Sequence, residues 1–95
     1  MELTKNERAL VLETLDEFTF IADNEGYGRA VERAKYAASI VSSMEDDELD
    51  EYDPVILAIY DLTFIADSEG FLKAAERGKE AMRIFEEQGI YAIKS

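Results

Sequence analysis

The chain repeats itself with a period of 44 residues, and this repeat limits the folds that are open to it. Residues 19–27 and 63–71 are identical at seven of nine positions, and 13 of the 23 positions from 19 to 41 are identical to the position 44 residues later. A repeat of this length is typical of a duplicated supersecondary unit. The sequence therefore predicts one structural unit twice within 95 residues, and each unit is expected to be a helical hairpin.

Apolar residues recur at helical spacing in both units. The first and third predicted helices carry equivalent stripes, which are Val11, Leu15, Phe18 and Ala22 in one and Val55, Ile59, Leu62 and Ala66 in the other. The second and fourth predicted helices carry a face of small and aromatic residues, which runs from Tyr27 to Val41 and from Phe71 to Phe85. This spacing predicts an all-α protein, a four-helix bundle built from two duplicated αα-hairpins.

The repeat also divides the chain. We predict a single domain, 1–95, that comprises repeat unit one at 4–44, an acidic connector at 45–53, repeat unit two at 54–89 and an apolar tail at 90–95. A chain of this length fits one domain and leaves no room for a second.

Local signals predict where the helices begin and end. Thr4 and Glu7 have the spacing of a capping box at the start of the first helix. Asp53 precedes Pro54, which predicts an N-cap followed by a proline in the first helical position of the third helix. Gly89 is expected to close the fourth helix.

Each hairpin contains a short polar turn with a glycine. In these turns Gly26 and Gly70 are predicted to have a positive φ, and Asn24 and Ser68 are predicted to cap the helix that follows. The turn does not fit an EF-hand calcium loop, because Ala34 stands where the twelfth-position ligand would be. We therefore expect no metal at the turns.

The small-residue faces resemble the second helix of a tetratricopeptide repeat. The likeness rests on an aromatic residue followed by two alanines, at Tyr27, Ala30 and Ala37 and again at Phe71, Ala74 and Ala81. The chain departs from that family in its 44-residue period, in lacking the Trp and Gly of the first helix, and in having no proline after the second helix. The resemblance implies a protein-binding role, but two units favour a closed bundle over an open solenoid.

Negative charge is concentrated in the acidic connector. The chain has a net charge of −12, and seven of the nine connector residues are acidic. This sign argues against direct binding to nucleic acid or to anionic membranes and favours a partner protein with a basic surface. The connector has three interpretations, which are a solvated linker, a docking segment and a set of cation ligands. The predicted partner-binding residues are Glu45, Asp46, Asp47, Glu48, Leu49, Asp50, Glu51 and Tyr52.

Catalytic residue types are scarce. Cys, His and Trp are absent, which removes thiol nucleophiles, imidazole bases and most transition-metal ligand sets. The strongest multi-carboxylate group outside the connector is Glu13, Asp16 and Glu17, and the duplicate helix replaces its first two members with Leu57 and Tyr60. A symmetric metal cage is therefore incomplete. We predict a protein that is not an enzyme and has no catalytic residues, no metal and no cofactor.

More apolar surface is present than a four-helix monomer needs. The first and third helices are apolar around much of their circumference, a property of helices that are buried on more than one side. We predict a homodimer whose interface draws on Leu10, Leu12, Phe20, Ile56, Leu57, Phe64, Ile90, Tyr91 and Ile93.

These observations predict a small acidic, non-enzymatic protein-binding or regulatory domain. The most specific version of this prediction is an inhibitor that docks on a basic partner. One alternative is a self-assembling structural subunit, and a second is a partial nucleic-acid mimic. The longest uninterrupted apolar run is Val55 to Tyr60, far shorter than the ~20 residues that span a bilayer. No basic segment followed by an apolar one marks export. A cytoplasmic protein without membrane contact is expected.

Overall fold

The computed structural model describes residues 1–90, and within them the chain forms four α-helices. These are α1 (Lys5–Glu25), α2 (Gly28–Ser42), α3 (Tyr52–Glu69) and α4 (Leu72–Glu87). Helix α1 packs against α2 and α4, helix α3 packs against α4 and α2, and α1 and α3 lie across a diagonal. The prediction of an all-α, four-helix bundle is confirmed.

The helices alternate in direction, and this gives the bundle two distinct ends. At one end the Gln88 side-chain amide donates to the Glu2 carbonyl at 2.6 Å, and an Arg8 guanidinium nitrogen donates to the Ser42 carbonyl at 3.0 Å. The start of α1, the end of α2 and the end of α4 therefore meet there, and we call this the connector end. The opposite end, formed by the α1–α2 and α3–α4 turns, is the turn end.

The two turns have the same backbone geometry. Gly26 and Gly70 adopt φ values of 78° and 86°, in the left-handed region that glycine reaches without steric cost. The N–H of Tyr27 donates to the Ala22 carbonyl at 2.9 Å, which closes α1 with a Schellman motif. The equivalent bonds close α3, so the predicted positive φ is confirmed at both glycines.

The other predicted helix ends are partly right. Thr4 and Glu7 form the predicted capping box, and Gly89 follows the end of α4 with a φ of 75°. Asn24 and Ser68 do not cap the following helices, because they still belong to α1 and α3. The Schellman turns delay the next helix by two residues, beyond the reach of those side chains.

Helix α3 begins earlier than its proline suggested. Tyr52 is its first residue and Glu51 its N-cap, so Asp53 is not the cap and Pro54 occupies the third helical position. Proline is tolerated there because the first N–H groups of a helix have no intrahelical acceptor. The last two residues of the acidic connector therefore belong to α3.

The predicted apolar stripes form the core. All eight stripe residues of α1 and α3 are buried, as are much of the small-residue faces, namely Ala34, Ala37 and Val41 in α2 and Ala74, Ala75, Gly78, Ala81 and Phe85 in α4. Tyr27 is the exposed member of these faces, and the half-buried members are Ala30, Val31, Ala38, Phe71 and Met82. None of the four helices in residues 1–90 combines the length and apolar content that crossing a bilayer requires.

The tightest helix contact lies at Gly78. A methyl group at this position would overlap the Thr63 hydroxyl and would stand 3.0 Å from Cζ of Phe18. The Thr63 hydroxyl is buried and makes no hydrogen bond in the described part of the chain. Gly78 therefore lets α4 approach both α1 and α3 at one point.

We expect Gly78→Ala to destabilise the protein, although alanine favours helix formation by about 1 kcal/mol. The added methyl overpacks the contact with Thr63 and Phe18, so the free energy of unfolding, measured by urea denaturation, should fall by about 1–3 kcal/mol. Gly28→Ala is the matched control, because nothing lies within 4 Å of its new methyl. If the two variants were equally stable, the close contact at Gly78 would be disproved.

Candidate functional site

The acidic connector is fastened to the body of the protein by the segment before α1. The N–H of Leu3 donates to the Asp47 carbonyl at 2.8 Å, and the N–H of Leu49 donates to the Met1 carbonyl at 2.7 Å. Glu2 and Glu48 thereby form an isolated antiparallel bridge. Because its backbone is paired at both points, the connector is a fixed feature of the surface.

Leu49 is a core residue. It was predicted to offer an apolar anchor to a partner, but its side chain is 1% exposed and packs in the same cluster as Leu3. The pairing with the segment before α1 turns Leu49 inward, so this residue is removed from the candidate docking surface. Tyr52 is half-buried against the core, and only part of it is accessible.

The six acidic side chains between residues 45 and 51 all remain exposed; they are Glu45, Asp46, Asp47, Glu48, Asp50 and Glu51. Asp46 has a φ of 57°, a left-handed conformation that aspartate tolerates better than most residues. A Glu48 carboxylate oxygen lies 2.9 Å from the Met1 amino nitrogen. The backbone bonds at Leu3 and Leu49, together with the turn at Asp46, set the course of the backbone that carries these six side chains.

A groove of about 410 Å³ lies between the connector and the second half of α2, and we call it the connector groove. Its lining includes Tyr36, Ile40 and Met44, which are spaced four residues apart. Glu45, Glu48, Asp50 and Glu51 also belong to its lining, which includes no Lys or Arg. The groove therefore joins four acidic groups to an apolar strip, and its Tyr36 side chain is 55% exposed.

Sequence reasoning identified the acidic side of this groove and missed the α2 side. The four-residue spacing of Tyr36, Ile40 and Met44 is a helical signal that leads directly into the acidic connector. That continuity could have suggested a shared surface. What the spacing could not supply is the folding back of the connector along α2, since that depends on Leu3 and Leu49.

The predicted interface residues fall into three groups. Phe20, Leu57 and Phe64 are exposed, Leu10, Leu12 and Ile90 are half-buried and pack against the core, and Ile56 is 4% exposed. Ile56 belongs to the interior of the monomer, because it faces the bundle core. Tyr91 and Ile93, with the rest of the apolar tail after Ile90, lie outside the described residues.

Exposed apolar side chains concentrate at the turn end. Phe20 and Phe64 are 67% and 64% exposed in the last two turns of α1 and α3. Leu72, the first residue of α4, is similarly exposed, and Tyr27, the residue before α2, is exposed to a smaller extent. The turn end thus differs from the acidic connector end in its chemistry.

A hydrogen bond joins the two turns. The Tyr27 hydroxyl donates to a Glu69 carboxylate oxygen at 2.7 Å. This hydrogen bond raises the pKa of Tyr27 above its usual value, with smaller contributions from desolvation and from the negative charges of Glu69 and Glu25. The bond therefore holds Tyr27 in its neutral, donating form.

The carboxylate trio of α1 lies at the surface of the bundle. Glu13 and Asp16 are exposed, whereas a Glu17 oxygen lies 3.8 Å from Nε of Arg77 on α4. Over residues 1–90, no group of three or more acidic side chains is arranged to hold a metal ion.

Comparison of the chain with models of known protein families, with curated proteins and with solved structures found no match.

We expect Leu49→Ala to lower the free energy of unfolding by about 2–5 kcal/mol, because it empties a core position and loosens the connector. Asp50→Ala, at the exposed neighbouring position, is the control and should change stability by less than about 0.5 kcal/mol. Urea denaturation of both variants measures the difference. Equal stabilities would show that the connector is not anchored through Leu49.

Proposed function

We propose that the protein is a small acidic, non-enzymatic binding or regulatory domain, and that its connector groove docks a basic segment of a partner protein. The observation that carries this proposal is the joining of four carboxylates to the apolar strip of Tyr36, Ile40 and Met44. Arg and Lys side chains have an aliphatic stem and a cationic head, so a basic segment can use both parts of such a surface. An arginine can also stack on the exposed Tyr36 ring.

The fixed connector supports this proposal energetically. A flexible acidic linker would lose conformational entropy on binding, and that loss would weaken the complex. Here the bonds at Leu3 and Leu49 hold the backbone before any partner arrives. The excess of negative charge at this end also accelerates the approach of a basic partner.

A partial nucleic-acid mimic is the narrower form of the same proposal. In that case the connector carboxylates would occupy a cleft that normally holds phosphates. On α2 and α4, exposed basic residues such as Lys35 and Lys79 stand among acidic ones, so these helices do not present a uniformly negative face. Mimicry would therefore be confined to the connector and to Glu13, Asp16 and Glu17 of α1 and Asp61 of α3.

The test neutralises the groove and compares it with a matched control. We expect the quadruple variant Glu45→Gln, Glu48→Gln, Asp50→Asn and Glu51→Gln to lose the partner in a pull-down at low salt. The wild-type complex should weaken as salt rises, because exposed charges are screened. Competition by added DNA would identify the mimic.

The control variant removes the same number of charges elsewhere, at the exposed residues Glu32, Asp67, Glu76 and Glu80, which lie outside the connector end and outside α1. It has the same net charge as the groove variant and should retain the partner. If both variants lost the partner to the same extent, the net charge of the protein would explain the binding, and a specific role of the groove would be disproved. Recovery of no partner by the wild type at either salt concentration would contradict the proposed function.

A self-assembling subunit, as a homodimer, is the second candidate function. The exposure of Phe20, Phe64 and Leu72 at the turn end favours it, since apolar side chains left exposed are candidate contacts with a second copy. This candidate makes no use of the connector.

We expect Phe20→Asp or Phe64→Asp to convert a dimer into a monomer if this second function holds. Light scattering coupled to size-exclusion chromatography measures the mass directly. The groove variant is the control and should remain dimeric. A monomeric wild type at high concentration would rule this candidate out.

We also propose that the two hairpins arose by duplication. Arg33 pairs with Asp61 at 2.7 Å, and Arg77, 44 residues after Arg33, lies 3.8 Å from Glu17, 44 residues before Asp61. Each pair joins the second helix of one hairpin to the first helix of the other. The two equivalent ion pairs between the hairpins and the matching geometry of the two turns support a common origin.

A further inference from the structure

A second groove, of about 390 Å³, lies between α2 and α3 at the turn end, and we call it the α2/α3 groove. Ala30, Leu62 and Ile65 supply its apolar lining. Gly28 leaves one side open, because a Cβ atom added to this residue would have nothing within 4 Å. Its volume is at the lower end of the range for small-molecule sites. An apolar body of modest size fits such a groove.

Basic residues outnumber acidic ones in the lining of this groove, whereas the charged residues of the connector groove are all acidic. Two arginines, Arg29 and Arg33, and one aspartate, Asp61, belong to its lining. Arg33 is paired with Asp61 at 2.7 Å, whereas Arg29 forms no ion pair with any residue in 1–90. On a chain of net charge −12, Arg29 is therefore a cation available to a ligand.

The start of α2 adds hydrogen-bond donors beside Arg29. No side chain caps this helix, and the first of its N–H groups to find an acceptor in the described structure is that of Val31, which donates to the Tyr27 carbonyl at 3.0 Å. The N–H groups of residues 28–30 point out of the helix end, where the helix dipole favours negative charge. These donors and Arg29 stand at the same end of the groove.

We propose that the α2/α3 groove binds a small amphipathic carboxylate, a molecule with one carboxylate and an aliphatic or aromatic body. The carboxylate bonds to the Arg29 guanidinium, which suits a planar two-oxygen acceptor, and to the N–H groups at the start of α2. The body lies on Ala30, Leu62 and Ile65. The Tyr27 ring, held by its bond to Glu69, flanks the apolar part.

The neighbouring acids explain why a single negative charge is preferred. Asp61 lines the groove and Glu69 holds the Tyr27 hydroxyl at its edge. A phosphate with two charges would meet more repulsion from these groups than a carboxylate with one. A cationic amphiphile would be repelled by Arg29 and by the positive end of α2. The site does not involve the connector groove, so this proposal and the proposed function can fail independently.

The test is an NMR titration of the full chain with octanoate below its micelle concentration and, separately, with octylammonium. We expect octanoate to produce saturable shifts at the amides of residues 28–30 and at Leu62 and Ile65. Octylammonium should leave the amides of residues 28–30 unchanged. Arg29→Gln should raise the dissociation constant for octanoate about tenfold, as the loss of one charge-assisted hydrogen bond implies.

Arg83→Gln is the matched control, because it removes the same charge from an exposed position on α4 and should leave the dissociation constant unchanged. Similar shifts with octanoate and octylammonium would reduce the groove to a non-specific apolar surface and overturn the proposal. Equal weakening by Arg29→Gln and Arg83→Gln, or the absence of saturable shifts, would overturn it as well.

Discussion

The bundle depends on how closely α4 can approach its two neighbours. At Gly78 the helix presents no side chain, and Phe18 of α1 and Thr63 of α3 fill the space where one would stand. Alanines before and after this point, Ala74 and Ala81, keep the approach close along the helix. A larger residue at the crossing would separate the helices and expose parts of both apolar stripes to water, and burial of those stripes supplies most of the stabilising free energy.

Packing of the two hairpins also separates the chemistry of the surface. The connector end gathers the acidic connector, the segment before α1 and the end of α4, whereas the turn end carries exposed apolar side chains and the start of α2 with Arg29. One molecule thus presents a groove lined by four carboxylates and a second groove with a guanidinium free of ion pairs in the described structure. The two grooves therefore differ in the sign of the charge that prevails in their lining.

Much of the fold could be predicted because its signals are local. The stripe that includes Leu15 and Phe18, the capping box at Thr4 and the positive φ at Gly26 each depend on residues within a few turns of one another. The failures involve residues that are distant in sequence. Leu49 is buried because the segment containing Leu3 pairs with it, and helix periodicity carries no information about such pairing.

The candidate site was also predictable only where its residues are neighbours in the sequence. Its acids stand together in the sequence, so charge counting found them, but the apolar strip of Tyr36, Ile40 and Met44 joins them only when the connector folds back along α2. The sequence pattern could not show that Phe20 is exposed and that Ile56 is buried. Both helices are apolar around much of their circumference, and tertiary contacts decide which side faces the core.

The meeting of Glu2 and Gln88 at the connector end has a consequence for chain order. Because the Gln88 side chain bonds to the Glu2 carbonyl, the two hairpins could be linked there as well as through residues 43–51. A short bridge at that point, with an opening in the exposed acidic stretch, would place α3 and α4 ahead of α1 and α2 and leave every helix contact in place. Such circular permutants are tolerated where ends are close and the opened loop is exposed. The packing therefore specifies which helices are neighbours and leaves the order of the hairpins along the chain free.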